Sequence, residues 1–251
     1  MVLLAGCATG YNAGTSQEEI IFIDTNREVR MGQAIAREIA ASKEFERSSD
    51  SSLLERVDRI GQRLAAVSDR KELTYHFAVL TWDEVNAFAV PGGFIYVSTK
   101  LLELTKDDDE LASVLGHEIG HVVAKHSIKR LQAAMGATVF QVLIAASGPQ
   151  DARTVRGAQI ALSQLFLAYS RQDELQADTL TVRYMQRAGF NPEGAIAFME
   201  RMQTHQRKQP LRPFSYSRTH PHFDDRIRVV KSMVRGHVDF EDYINMSPEY
   251  R

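Results

Sequence analysis

Residues 117–121 read His-Glu-Ile-Gly-His, and no other feature constrains the chain as tightly. On a helix, positions four apart stand one above the other on the same face, so His117 and His121 can both reach one metal ion. The carboxylate of Glu118 sits one residue round from the first imidazole, where it can take a proton from a water at that metal. The flanking residues fit a helix. Asp107 followed by Glu110 has the form of a capping box, and the acidic run 107–110 meets the positive end of the helix dipole. Leu111, Val114, Leu115, Ile119, Val122 and Val123 recur at helical spacing, which predicts a buried or half-buried helix. Lys125, Lys129 and Arg130 suit its far end. Gly120 carries no side chain, so a second helix can approach closely there.

A catalytic zinc ion takes three protein ligands and leaves a fourth position open. In the three-histidine pattern the third histidine stands six residues after the second, with a glycine three residues after it. Those positions hold Ser127 and Ala124, and His126 is one residue out of register, so that pattern is absent and His126 reads as a helix-surface histidine. A carboxylate must complete the set. Residues 165–178 are helical in pattern and put Glu174 and Asp178 one turn apart on one face. Glu174 is then the expected third ligand, with Asp178 bonded to the second nitrogen of a ligand histidine. Asp173 is a rival ligand that spacing does not exclude.

The chain resembles peptidase family M48, the zinc metallopeptidases, and specifically the bacterial envelope type without tetratricopeptide extensions. Four stretches carry the resemblance: His117 to His121; Ser170-Arg171-Gln172-Asp173-Glu174-Leu175-Gln176-Ala177-Asp178; Asn86-Ala87-Phe88-Ala89-Val90-Pro91-Gly92-Gly93; and Thr219-His220-Pro221-His222-Phe223-Asp224-Asp225-Arg226-Ile227. It spans about residues 20–235. It implies an α+β, mainly helical zincin-like fold with a small β-sheet beside the metal helix, and one zinc ion per chain on His117, His121 and Glu174. It implies that Glu118 is the general base, that His220 lies near the zinc and that Arg226 supports the site or the substrate. His220 is open to two roles, a donor to the developing oxyanion or a latent fourth ligand that holds the enzyme shut. His222 reads as a surface or supporting residue.

The implied activity is zinc-dependent endopeptidase cleavage of unfolded or misassembled envelope proteins. The alternatives are a latent or chaperone-like factor that binds clients and cleaves rarely, and a non-catalytic zinc-binding module. A net charge of −2 over 251 residues gives no electrostatic case for nucleic acid. The single cysteine, Cys7, excludes an internal disulfide. Leu4-Ala5-Gly6-Cys7 resembles a bacterial lipobox. The expectation is therefore a lipid anchor at Cys7, a flexible tether over residues 1–19, and one catalytic domain over 20–251, held at the periplasmic face of the outer membrane. If the lipobox is accidental, a soluble periplasmic protein is expected.

Residues 75–80 and 94–97 have strand composition, with a turn at Pro91-Gly92-Gly93. An unpaired strand edge beside the metal would let an extended polypeptide add as a further strand. Residues 27–42 and 52–67 read as amphipathic helices, and a further helix is expected from Asn191-Pro192-Glu193 to about Gln206. Residues 133–146 read as an apolar core or interfacial element, 148–157 as a loop that can act as a lid, and 209–218 as an irregular connection.

Overall fold

The computed structural model describes residues 9–12, 17–20, 23–134, 152–208, 212 and 214–236. Cys7, the apolar stretch beyond Ala134 and the first part of the expected lid loop lie outside the described residues. Within the stretch expected to be a tether, strands β1 (Thr9–Asn12) and β2 (Gln17–Ile20) pair as an antiparallel ribbon, with Thr9 opposite Ile20 and Asn12 opposite Gln17.

Two helices precede the main sheet where the periodicity places them. The Asp24 side chain accepts from Arg27 N–H and starts α1 (Thr25–Ala41). Asp50 accepts from Ser52 and Leu53 N–H and starts α2 (Ser51–Val67). The sheet contains β3 (Glu46–Arg47), β4 (His76–Thr81), β5 (Ala87–Val90) and β6 (Phe94–Ser98) in the order β3-β4-β6-β5. β4 and β6 run parallel, whereas β5 and β6 form an antiparallel hairpin across Pro91-Gly92-Gly93. Both glycines take positive φ, 80° and 93°, which the sharp reversal requires.

After the sheet the chain is helical: α3 (Thr99–Leu104), α4 (Asp108–Val123), α5 (His126–Ala134), α6 (Ala152–Leu165), α7 (Arg171–Arg187), α8 (Glu193–Lys208), the single turn α9 (Tyr216–Thr219) and α10 (Phe223–Arg235). α9 lies where the sequence reads as irregular. Strand alternation divides the core. Val79, Ala87, Ala89, Ile95 and Val97 face α2, α4, α7 and α8. Leu80, Phe88, Val90 and Tyr96 face α1 and α6, with Phe45, Trp82 and Phe166 in an aromatic group. α4 lies in the middle, buried at every position from Glu110 to Val123. β5 is the last strand of the sheet, as a substrate edge requires, but all four of its residues are buried. An open edge was expected, and this one is covered.

Candidate metal centre

Two helices carry the centre, and a glycine sets their distance. The Asp107 side chain accepts from Glu110 N–H and caps α4. The reciprocal half of the capping box is absent, because Glu110 Oε2 accepts from Lys106 N–H and both its oxygens take Arg201. A full capping box stands instead at the head of α7, where Ser170 and Asp173 each accept from the other's backbone N–H. α4 and α7 touch at Gly120, where a Cβ would come within 2.9 Å of the Ala177 carbonyl oxygen. That approach brings His117 and His121 level with Glu174 and Asp178.

The donor atoms converge. His117 Nε2 lies 3.0 Å from His121 Nε2 and 3.3 Å from Glu174 Oε2, and His121 Nε2 lies 3.4 Å from Glu174 Oε1. His220, at the end of α9, brings Nδ1 to 3.3 Å from His117 Nε2 and 3.1 Å from Glu174 Oε1. One ligand atom from each of these four buried residues lies within 4.8 Å of every other. A tetrahedral ion with bonds of about 2.0–2.1 Å separates its ligand atoms by about 3.3–3.4 Å, so the donor set and its spacing fit zinc. Three imidazoles and a carboxylate at these separations suit a shared cation.

Supporting groups surround the donors. Asp178 Oδ1 is 2.9 Å from His117 Nδ1 and accepts its hydrogen bond, which leaves Nε2 as the nitrogen for a metal to take. Arg226, buried, donates from Nε and Nη2 to the two oxygens of Asp178 and from Nη1 to the His220 carbonyl, and Nη1 lies 2.6 Å from Glu174 Oε2. Tyr169 stacks on His121 at 3.9 Å, hydrogen-bonds Ser127 through its hydroxyl, and receives Arg130 on its ring. Glu118 is fully buried and neither carboxylate oxygen has a hydrogen-bond partner; His220 Nε2 is 3.5 Å away.

Burial sets the electrostatics. It pushes the Glu118 carboxyl above its ordinary range, despite His220 and His117 nearby. Burial would raise Glu174 too, but Arg226, His220 and His117 outweigh it and hold that carboxyl well below the usual range. Burial and Arg226 oppose protonation of His117, yet Glu174 and Asp178 prevail and raise it to about 9. His121 is driven well below the ordinary imidazole value by burial.

The structure therefore brings together His117, Glu118, His121, Glu174, Asp178, His220 and Arg226. His222 is exposed at the head of α10 with positive φ. Asp173 is held by the capping box and lies outside the donor group. His126 is a correction: it is buried, with Nδ1 2.8 Å from His121 Nδ1. α4 stops at Val123 and Lys125 takes φ 56°, so α5 begins afresh and turns His126 inward. Spacing along one continuous helix cannot reveal that break.

The model of peptidase family M48 matches residues 51–234. The beta-barrel assembly-enhancing protease of Escherichia coli K12 is 27% identical over 222 residues, covering 85% of this chain and 45% of its own. The mitochondrial metalloendopeptidase OMA1 of Schizosaccharomyces pombe is 32% identical over 175 residues, 70% of this chain and 51% of its own. The metalloprotease YcaL of Escherichia coli K12 is 24% identical over 205 residues, 79% of this chain and 80% of its own. The chain thus spans about half the length of the first two relatives.

Proposed function

The chain belongs to peptidase family M48, and from that premise we propose that it is a zinc-dependent endopeptidase acting on unfolded or misassembled proteins of the bacterial envelope. The observation that carries the reading is the convergence of His117, His121 and Glu174 on one point, beside a buried Glu118 with unpartnered oxygens. A structural zinc site has no use for such a carboxylate, and two histidines with a glutamate are a catalytic ligand set, open at the fourth corner once His220 moves aside.

His117, His121 and Glu174 would hold one zinc ion per chain. When bound, zinc polarises a carbonyl and lowers the pKa of water. Glu118 takes the proton of the attacking water and returns one to the departing amine. Asp178 keeps the His117 proton on Nδ1, and Arg226 holds Asp178 and Glu174 in place while balancing their charge. An extended substrate would lie along β5, which adjoins the site through the contacts from Ala89 to Ser127, Tyr169 and His121.

A second reading concerns the resting state. His220 occupies the fourth corner of the donor group, and its segment is fastened over the start of β5. Tyr216 N–H donates to the Val85 carbonyl, and Asn86 Nδ2 donates to the Phe214 carbonyl. On this second reading the arrangement would be a resting state, with His220 as a displaceable ligand that becomes a donor to the oxyanion once moved.

Location follows the same logic. The assembly-enhancing relatives suggest the envelope, and Cys7 in its lipobox-like setting suggests an outer-membrane anchor. Among the described residues no helix is long and apolar enough to cross a membrane. The deciding experiment is metal analysis with cleavage of a casein-type substrate, with and without a chelator, for wild type and Glu118→Gln. Zinc at one per chain in both proteins is expected, with cleavage at least about 100-fold lower in the variant. Equal rates would refute the reading.

A further inference from the structure

His126 has no part in the reading above, yet it is only 2% exposed and abuts a proposed ligand. Its Nε2 lies 2.8 Å from Gln176 Oε1 and 3.3 Å from Asp173 Oδ1. Its Nδ1 lies 2.8 Å from His121 Nδ1. The other Asp173 oxygen accepts from the Ser170 backbone and hydroxyl, so that carboxylate is held in position as an acceptor.

The proton positions follow from this arrangement. An ionised carboxylate only accepts, so His126 Nε2, which faces Asp173, carries a proton. A neutral imidazole protonated at Nε2 has its acceptor at Nδ1. The proton in the 2.8 Å contact between the histidines therefore belongs to His121 Nδ1. That leaves His121 Nε2 with a lone pair, aimed where His117 Nε2 and Glu174 also point.

We propose that His126 is a positioning residue: an Asp173–His126–His121 relay fixes the metal-binding tautomer and ring orientation of His121. It does for the second ligand histidine what Asp178 does for the first. Tyr169, stacked on His121, restricts the ring plane, and the relay selects which nitrogen faces inward. The chain break at Lys125 acquires a purpose, since a continued helix would carry His126 past His121. The capping box also acquires a second task, because the aspartate that starts the Glu174 helix anchors the far end of the relay. The proposal rests on the reading of His121 as a zinc ligand.

The test uses the full chain. Zinc affinity is measured by competition with a chromophoric chelator for wild type, His126→Leu and His126→Asn, with thermal unfolding as the check on folding. Leucine fills the space without an acceptor, whereas asparagine can offer its carbonyl oxygen near the position of Nδ1. His126→Leu should bind zinc about 10–100-fold more weakly, and His126→Asn should recover much of that loss. Ring-nitrogen NMR of the zinc-loaded wild type should find the His126 proton on Nε2 and none on Nδ1. This measurement decides the matter even if a variant does not fold. Unchanged affinity in His126→Leu, equal losses in both variants, or a proton on His126 Nδ1 would each overturn the relay. Failure of the wild type to bind zinc would instead remove the functional reading beneath it.

Discussion

Arg226 meets Asp178 fork to fork, with Nε 2.8 Å from one carboxylate oxygen and Nη2 2.8 Å from the other. Both residues are buried, and the same guanidinium reaches Glu174. One guanidinium therefore compensates two carboxylates of the candidate centre, the proposed ligand Glu174 and its neighbour Asp178. Replacing Arg226 with Met leaves those charges uncompensated away from water, and should lower stability by about 3–5 kcal/mol. Denaturant midpoints of wild type and variant provide the check, and a loss well under about 1 kcal/mol would show the pair to be dispensable.

Zinc itself should stabilise the fold. The donors come from α4 and α7, so an ion that binds only the folded chain links them. Free zinc at 100 times its dissociation constant should add about 2.7 kcal/mol, seen as a rise in melting temperature that a chelator reverses. His117→Ala should abolish the zinc-dependent rise. A melting temperature indifferent to zinc would count against the centre.

Gly120 has no room for a side chain. Gly120→Ala would press a methyl group against the Ala177 backbone, with the carbonyl oxygen at 2.9 Å and Cα at 3.1 Å. The helices must part, at a cost of about 1–3 kcal/mol. Zinc affinity should fall with stability, because Glu174 sits one turn before the contact. Equilibrium unfolding and chelator competition measured on the same preparation would show whether the two losses occur together.

His220→Ala should keep zinc on three ligands and speed cleavage of an unstructured polypeptide. The gain is about tenfold if the closed form holds nine-tenths of the molecules. Initial rates on a casein-type substrate give the answer. A fall in rate instead would assign His220 to transition-state stabilisation alone.

Much of this centre is legible in the chain because its parts are local. His117, Glu118 and His121 lie within one helical turn, and so do Glu174 and Asp178, so helical spacing alone aligns each set. Asp107 announces a helix start by the same local chemistry. The harder features depend on distant partners. β5 is only four residues long, Ala-Phe-Ala-Val, and its pairing with β6 makes it a strand. Glu110 belongs to Arg201, 91 residues away, so its reciprocal cap never forms. His126 reads as exposed between Lys125 and Lys129, and only the left-handed Lys125 reverses that. The position of His220 depends on bonds from Tyr216 to Val85 and from Asn86 to Phe214, a pairing no local pattern encodes.

The concealment of β5 changes what a turnover number would report. A peptide cannot add to a strand that the protein already encloses, so cleavage of a substrate docked along β5, as proposed, would begin with the enclosure lifting. Observed velocity then counts opening events as well as chemistry. Substitutions that tighten the Phe214–Tyr216 clasp should slow the enzyme without touching any atom that handles the scissile bond.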